Sequence, residues 1–270
     1  MCKRGLYNRF LPTESQRDCI GAGVDIVLVS PRNPLNIGAV ARAMANFGFT
    51  RLTVVAPFEK HWCEAQSAVG AEELLRNAKR TETLAEAIAD GTLVAGTGTL
   101  EHRKPEQPIV ALPELPKLVR TALGSNGRVA LVFGPEKRGL TREDLSYCHL
   151  LIQIPTDARQ PSMNLGQAVA VCLYELATRL SLSGQGSAQD SADADAVVAR
   201  SGDLDLLVGV IDEVMLAAHY SPPSMQEANR HDLRLLLRRL PLTGFDVRRA
   251  LGFFRRVLRR LEDPNAREGS

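Results

Sequence analysis

Ile26-Val27-Leu28-Val29-Ser30-Pro31-Arg32-Asn33-Pro34-Leu35-Asn36-Ile37-Gly38-Ala39-Val40-Ala41-Arg42-Ala43-Met44 is the stretch on which the fold turns. Its first four residues are apolar, mostly β-branched and without polar alternation, the mark of a strand buried on both faces of a parallel sheet. A proline-bounded loop interrupts the run. Ile37, Val40, Ala41, Met44 and then Phe47 recur at the spacing of one helix face. Outward from this strand–loop–helix unit the pattern repeats. Strand-like runs follow at 52–55, 93–95, 129–133 and 150–154, and Ala168, Val171, Cys172 and Leu176 form a late helical stripe. Strands alternating with helices from Asp25 to Leu180 imply an α/β layered domain with a parallel sheet.

The residues on either side are of different character. Residues 1–23 are polar and basic, with Arg4, Arg9 and Arg17, and read as a disordered extension. The domain itself takes 24–180. Residues 181–201 are small, polar and acidic, with Asp190, Asp193 and Asp195, and read as a flexible linker. Three helices are expected in 202–263, a small all-α module. The first carries Leu204, Leu207, Val208, Ile211 and Met215. The second spans about 225–240 with the stripe Leu233, Leu236, Leu237 and Leu240. Pro241 and Gly244 break the chain, Thr243 can cap, and the third helix carries Val247, Leu251, Phe254, Leu258 and Leu261.

Net charge is only +2 over the 270 residues, but ten arginines, no lysine and two aspartates fall between Arg230 and Arg260. An acidic body with a basic end suggests a polyanionic partner held at that end. Five scattered cysteines, none in a C-x-x-C pair, argue against a disulfide framework and a zinc site, and for a reducing compartment. No apolar run approaches the roughly 20 residues that cross a bilayer. A cytoplasmic protein without metal or membrane association is expected.

Three segments stand where a strand's C-terminal end meets a turn or helix, the edge at which open α/β sheets bind ligands. The first is 30–44, where Asn36 is placed to cap the helix and Arg42 falls off its buried stripe. The second is Val132-Phe133-Gly134-Pro135-Glu136-Lys137-Arg138-Gly139-Leu140-Thr141, a glycine-bracketed loop with Thr141 and Asp144 spaced as a cap. It lacks the Gly-Lys-Ser/Thr of a phosphate loop. The third, 154–170, is a polar loop running into a long helix opened by Ser162 or Asn164, whose backbone N–H groups can bind an electronegative group. Taken singly, each is equally an ordinary capped connection. The dinucleotide fingerprint is absent, because Gly21-Ala22-Gly23 precedes a strand and Gly96-Thr97-Gly98 lacks a third glycine.

In this order and spacing the three resemble the signature motifs of the SPOUT superfamily of RNA methyltransferases, in its TrmH/TrmJ branch. They appear as Asn36/Gly38/Arg42, Phe133/Gly134/Glu136/Gly139/Leu140 and Ser162/Asn164/Ala168/Val169, within residues 25–180. The resemblance implies a parallel-sheet α/β fold with a deep C-terminal trefoil knot in about 131–180, and a homodimer. It implies S-adenosyl-L-methionine as cofactor, lined by Thr97, Gly98, Thr99, Gly134, Glu136, Leu140, Ile154, Ser162, Met163 and Asn164. Ile154 and Leu140 would pack on the adenine.

The implied reaction methylates a ribose 2′-hydroxyl of RNA, most simply in the tRNA anticodon loop. A hydroxyl is a poor nucleophile until its proton is shared or removed. The resemblance gives that task to Arg42, supplied across a dimer interface, with Asn36 and Ser162 orienting the ribose or its phosphate. A guanidinium ordinarily keeps its charge, so stabilising the developing oxyanion or gripping a phosphate are open alternatives. Arg32, Arg42, Arg230, Arg234, Arg238, Arg248, Arg255 and Arg259 are the candidate RNA contacts. The rival readings are a ribosomal-RNA enzyme of the same class and a catalytically silent RNA-binding relative.

Overall fold

The computed structural model describes residues 21–58, 62, 65, 67–98, 105–181, 197–220 and 222–263. Seven parallel strands form one sheet: β1 (Val24–Val29), β2 (Arg51–Val55), β3 (Lys79–Thr81), β4 (Leu93–Thr97), β5 (Ile109–Ala111), β6 (Val129–Phe133) and β7 (Leu150–Gln153). Their order is β3-β2-β1-β6-β4-β7-β5. All five expected strands are present. The two missed ones are the sheet edges, three residues each and largely exposed: β3 is the polar run Lys79-Arg80-Thr81, and β5, though apolar, is too short to show a pattern.

Side chains alternate between two apolar layers. Ile26, Leu28, Leu131 and Phe133 pack on one face with helices α1 (Pro34–Phe47), α4 (Leu115–Gly124) and α6 (Leu165–Ser181). On the other, Val27, Val29, Ala130 and Val132 meet Leu84 and Ile88 of α3 (Leu84–Ile88) and Leu145 of α5 (Arg142–Ser146). A short α2 (Glu72–Arg76) adds Leu75 to the first layer. Burial on both faces is why the strands show no polar alternation.

Three further helices, α7 (Ser201–Ala217), α8 (Gln226–Arg239) and α9 (Gly244–Glu262), enclose their own core of Leu204, Leu207, Val208, Leu237, Val247 and Leu251. Thr243 caps α9 in a capping box with Asp246. The reading of α8 needs correction. Leu236 and Leu240 are 46% and 45% exposed, while His231, Arg234, Leu235 and Arg238 are buried at helical spacing. Leu237 is buried and Leu233 packs against the module's core as expected, but leucines mark only part of the inner face, because the rest of it carries charge with partners elsewhere. Arg234 donates to Glu143 Oε1 (2.5 Å) and Ser146 Oγ (2.7 Å); Arg238 donates to the Tyr147 carbonyl (3.0 Å) and to Asp205 (2.7 Å). Both guanidinium groups lie against the Tyr147 ring, 4.1 and 5.3 Å from its centroid. These two arginines, expected to contact RNA, instead fasten the module to α5 and its C-terminal end.

The expected flexible linker falls largely on 182–196, outside the described residues, as does 1–20 of the expected N-terminal extension. Next to these, Gly21 to Gly23 are helical rather than disordered. At the linker's far end the chain is held. Ala199 N–H donates to Leu242 O and Gly244 N–H to Val197 O, while Ser201 gives both its N–H and its hydroxyl to Gly91 O.

Candidate functional site

Because the strands are parallel, the segments leaving β1, β4, β6 and β7 gather at one edge of the sheet. There a cavity of about 610 Å³ is lined by Thr97, Gly98, Gly134, Glu136, Ile154, Ser162 and Met163, with Phe133, Pro135, Gly139, Thr156 and Pro161 among its other walls. Seven of the ten residues assigned to a cofactor pocket on sequence therefore share one cavity. Thr99 lies outside the described residues.

Leu140 and Asn164 are placed differently from expectation. Leu140 is fully buried, its side chain in the opposite apolar layer with Val94, Leu145 and Cys148, so it does not face an adenine in the cavity. Gly139 turns the chain with φ 63°, and a Cβ on Gly134 would lie 2.2 Å from Leu140 N. The loop thus folds back on itself, and its side chain points inward. Asn164 precedes α6, and its Oδ1 accepts the Gly166 N–H (2.9 Å), a helix cap.

Asn164 also closes a chain of hydrogen bonds through all three motifs. Its Nδ2 donates to Asn36 Oδ1 (3.0 Å), and Asn36 Nδ2 donates to Glu136 Oε1 (2.8 Å). Glu136 accepts two more bonds, from the backbone N–H groups of Arg32 and Asn33 (both 3.1 Å). Asn36 is not the cap of α1. That is Asn33, whose Oδ1 accepts the Leu35 N–H, with Pro34 at the first helical position where no N–H is needed. One turn in, Asn36 has both ends of its amide engaged within the chain, so it positions Glu136 and Asn164.

Burial opposes a charge on Glu136, but the hydrogen bonds from Asn36 and from the two backbone groups outweigh it and hold the carboxyl below its ordinary value. Since the folded-state value is depressed, the resulting stabilisation is present above the ordinary value of 4.5 and is lost as pH falls through the lowered one. Glu136→Gln replaces an acceptor by an NH₂ facing donors. It is expected to cost about 1–2 kcal/mol and to remove this part of the acid dependence, read from denaturation midpoints between about pH 3 and pH 7. An acid profile identical to that of the unaltered protein would refute the assignment.

Arg42 is exposed on α1 and makes no hydrogen bond or ion pair among the described residues. Ser162 is exposed at the cavity mouth. The hydroxyl of Thr97 is committed to Val132 O (3.1 Å). Burial pushes the Cys148 and Cys172 thiols up to about 12, leaving them inert. Of the candidate RNA-contacting arginines, Arg32, Arg248, Arg255 and Arg259 are exposed, and Arg230 is exposed but paired with Asp212 (3.3 Å). Away from the cavity, Glu106, His231 and Asp232 bring ligand atoms within 4.8 Å of one another, but Arg142 and Glu143 already approach Glu106 and His231. The contribution of Arg32 and Asn33 through backbone N–H groups was invisible in sequence, since any residue type supplies one.

Comparison with known proteins gives consistent results. The model of the SpoU rRNA Methylase family matches residues 23–174. A tRNA (cytidine/uridine-2'-O-)-methyltransferase TrmJ of Escherichia coli O6:K15:H31 is 32% identical over 243 residues, covering 90% of this chain and 96% of its own. The tRNA (cytidine-2'-O-)-methyltransferase TrmJ of Methanocaldococcus jannaschii is 40% identical over 158 residues, 58% of this chain and 68% of its own. Among solved structures, TrmJ from Z. mobilis ZM4 superposes with a TM-score of 0.72 at 28% identity, covering 88% of this chain and 99% of the other.

Proposed function

The chain belongs to the SpoU rRNA Methylase family, and from that we propose that it transfers a methyl group from S-adenosyl-L-methionine to a ribose 2′-hydroxyl of tRNA, in the anticodon loop. The observation that carries this reading is the hydrogen-bonded chain Glu136–Asn36–Asn164, which draws three segments more than 100 residues apart in places around one cavity. tRNA is favoured over ribosomal RNA because the Escherichia coli TrmJ relative aligns over 90% of this chain.

The cavity suits the cofactor. Its size fits a nucleoside with its side chain, and the ionised Glu136 complements a cation. When bound, S-adenosyl-L-methionine supplies a methyl group on a positively charged sulfur. Thr97, Gly98, Gly134, Glu136, Ile154, Ser162 and Met163 would hold it. Ser162 at the mouth orients the ribose, and Arg42 stabilises charge developing on the 2′-oxygen or grips the adjoining phosphate.

Several further features belong to this reading. Residues 131–180 form a trefoil knot, an expectation supported by the insertion of β6 between β1 and β4 and of β7 between β4 and β5. Residues 24–180 are the transferase domain and 202–263 an RNA-gripping module. Two chains form a dimer through α1 and α6, where Leu35, Val171 and Tyr174 are exposed, so that Arg42 serves the partner's cavity. The enzyme works in the cytoplasm, where its substrate is, and needs no metal; among the described residues no helix is long and apolar enough to cross a membrane.

Incubation with labelled S-adenosyl-L-methionine and total RNA, followed by mapping of ribose methylation, tests the reading. Label confined to tRNA is expected; label in ribosomal RNA alone, or none, would overturn it. For the module, a combined Arg248→Ala, Arg255→Ala and Arg259→Ala variant should flatten the slope of log affinity for tRNA against log salt by about 2–3, because each phosphate contact contributes roughly 0.7–0.9. An unchanged slope would show that these arginines touch no phosphate.

A further inference from the structure

We propose that Phe58, backed by Arg32, is a stacking subsite for an unstacked nucleobase of the RNA beside its modified ribose. The proposal rests on the reading of the chain as an RNA methyltransferase. Ribose methylation of a loop nucleotide brings a 2′-hydroxyl to a fixed point, which requires the bases around it to be splayed and held, and aromatic rings are the usual means.

The ring is presented deliberately. β1 and β2 pair as far as Val29 and Val55, so the loops that follow leave the sheet side by side. Each leaves through a residue with a side chain in the left-handed region, Ser30 at φ 44° and Ala56 at φ 40°, a conformation that persists only where the surroundings impose it. The Ser30 N–H donates to Val55 O and the Ala56 N–H to Thr81 O, which fixes both exits. The Phe58 N–H then donates to Pro31 O (3.3 Å), tying the second loop to the first.

Held this way, Phe58 is 69% exposed. A single exposed phenylalanine is commonplace; its neighbours set this one apart. The Arg32 guanidinium lies 5.5 Å from the ring centroid, in cation–π range. The backbone N–H of the same Arg32 binds Glu136, a wall of the cavity. One residue therefore links the ring to the reaction site. An aromatic ring with a cation over one face matches a nucleobase next to its phosphate: the base stacks on the open face, and the guanidinium serves the phosphate. Stacking tolerates every base, so the subsite holds the nucleotide without selecting its identity.

The test uses the full-length protein and unmodified tRNA transcribed in vitro. Phe58→Ala should weaken tRNA affinity and raise its KM at least about fivefold, while S-adenosyl-L-methionine affinity and the thermal midpoint stay unchanged, because the ring is exposed. Phe58→Trp should bind at least as well as the unaltered protein. Phe58→Leu, which keeps apolar bulk without a π face, should behave as Phe58→Ala; it also serves if the alanine variant does not fold. Unchanged tRNA binding and turnover in Phe58→Ala or Phe58→Leu would overturn this proposal and leave the methyltransferase reading standing. Failure of the unaltered protein to methylate any tRNA would overturn both.

Discussion

Arg42→Ala is expected to slow methyl transfer by about a hundredfold to a thousandfold, the loss seen when one preorganised donor to a developing oxyanion is removed. The fold should survive. Arg42 is exposed and has no hydrogen bond or ion pair among the described residues, and its helix is anchored by Ile37, Val40, Ala41 and Met44 on the opposite side. Alanine also favours helix slightly more than arginine does. Cofactor binding, measured by calorimetry, should change little, since the role proposed for Arg42 is toward the 2′-oxygen and its phosphate and not toward the cofactor. Arg42→Lys separates the alternatives: a planar fork gripping an oxyanion and phosphate together is poorly replaced by a point charge, whereas simple neutralisation is replaced well. Near-normal turnover in Arg42→Ala would remove Arg42 from the mechanism.

Arg238→Ala is expected to lower stability by about 3 kcal/mol. The Arg238 side chain is 1% exposed; its bond to the Tyr147 carbonyl crosses from α8 to the end of α5, and its bond to Asp205 ties α8 to α7 within the module. Removing it leaves an acceptor without a donor, a carboxylate without its counter-charge and a void. The figure sits at the lower end for broken buried pairs because the Asp205 side chain keeps 22% exposure. Arg238→Met with Asp205→Leu should recover most of the loss, because apolar replacement of a whole pair is often neutral. A double-mutant cycle from urea denaturation isolates the pair from the packing. Arg238→Ala as stable as the parent would mean that the module is not fastened here.

The two results bear on each other through α5. Its N-cap, Thr141, follows directly on the loop that lines the cavity, and its other end, Ser146 and Tyr147, receives Arg234 and Arg238. The module is thus held a few residues from the cavity-lining loop of its own chain.

Much of this was legible in the chain itself. Strands β1, β2, β4, β6 and β7, helices α1 and α6, the cap pair Thr141/Asp144 and a cap at Thr243 follow from apolar periodicity and local cap chemistry. The motif loops were recognisable only as a set, by the resemblance of their order and spacing to a known family; Asn36, read as a cap, bridges two other motifs instead. What folding alone decided was every partnership across distance. Asn36 lies 100 residues from Glu136 and 128 from Asn164, and nothing near Asn36 distinguishes a cap from a bridge. Arg234 and Arg238 look like Arg248 and Arg255 in sequence, yet two are buried and two exposed. Periodicity is a property of neighbours within a turn or two, and so is written into the sequence. A charged or amide side chain takes its role from whichever groups end up within hydrogen-bond reach, which is fixed only when the sheet order and the helix docking are complete.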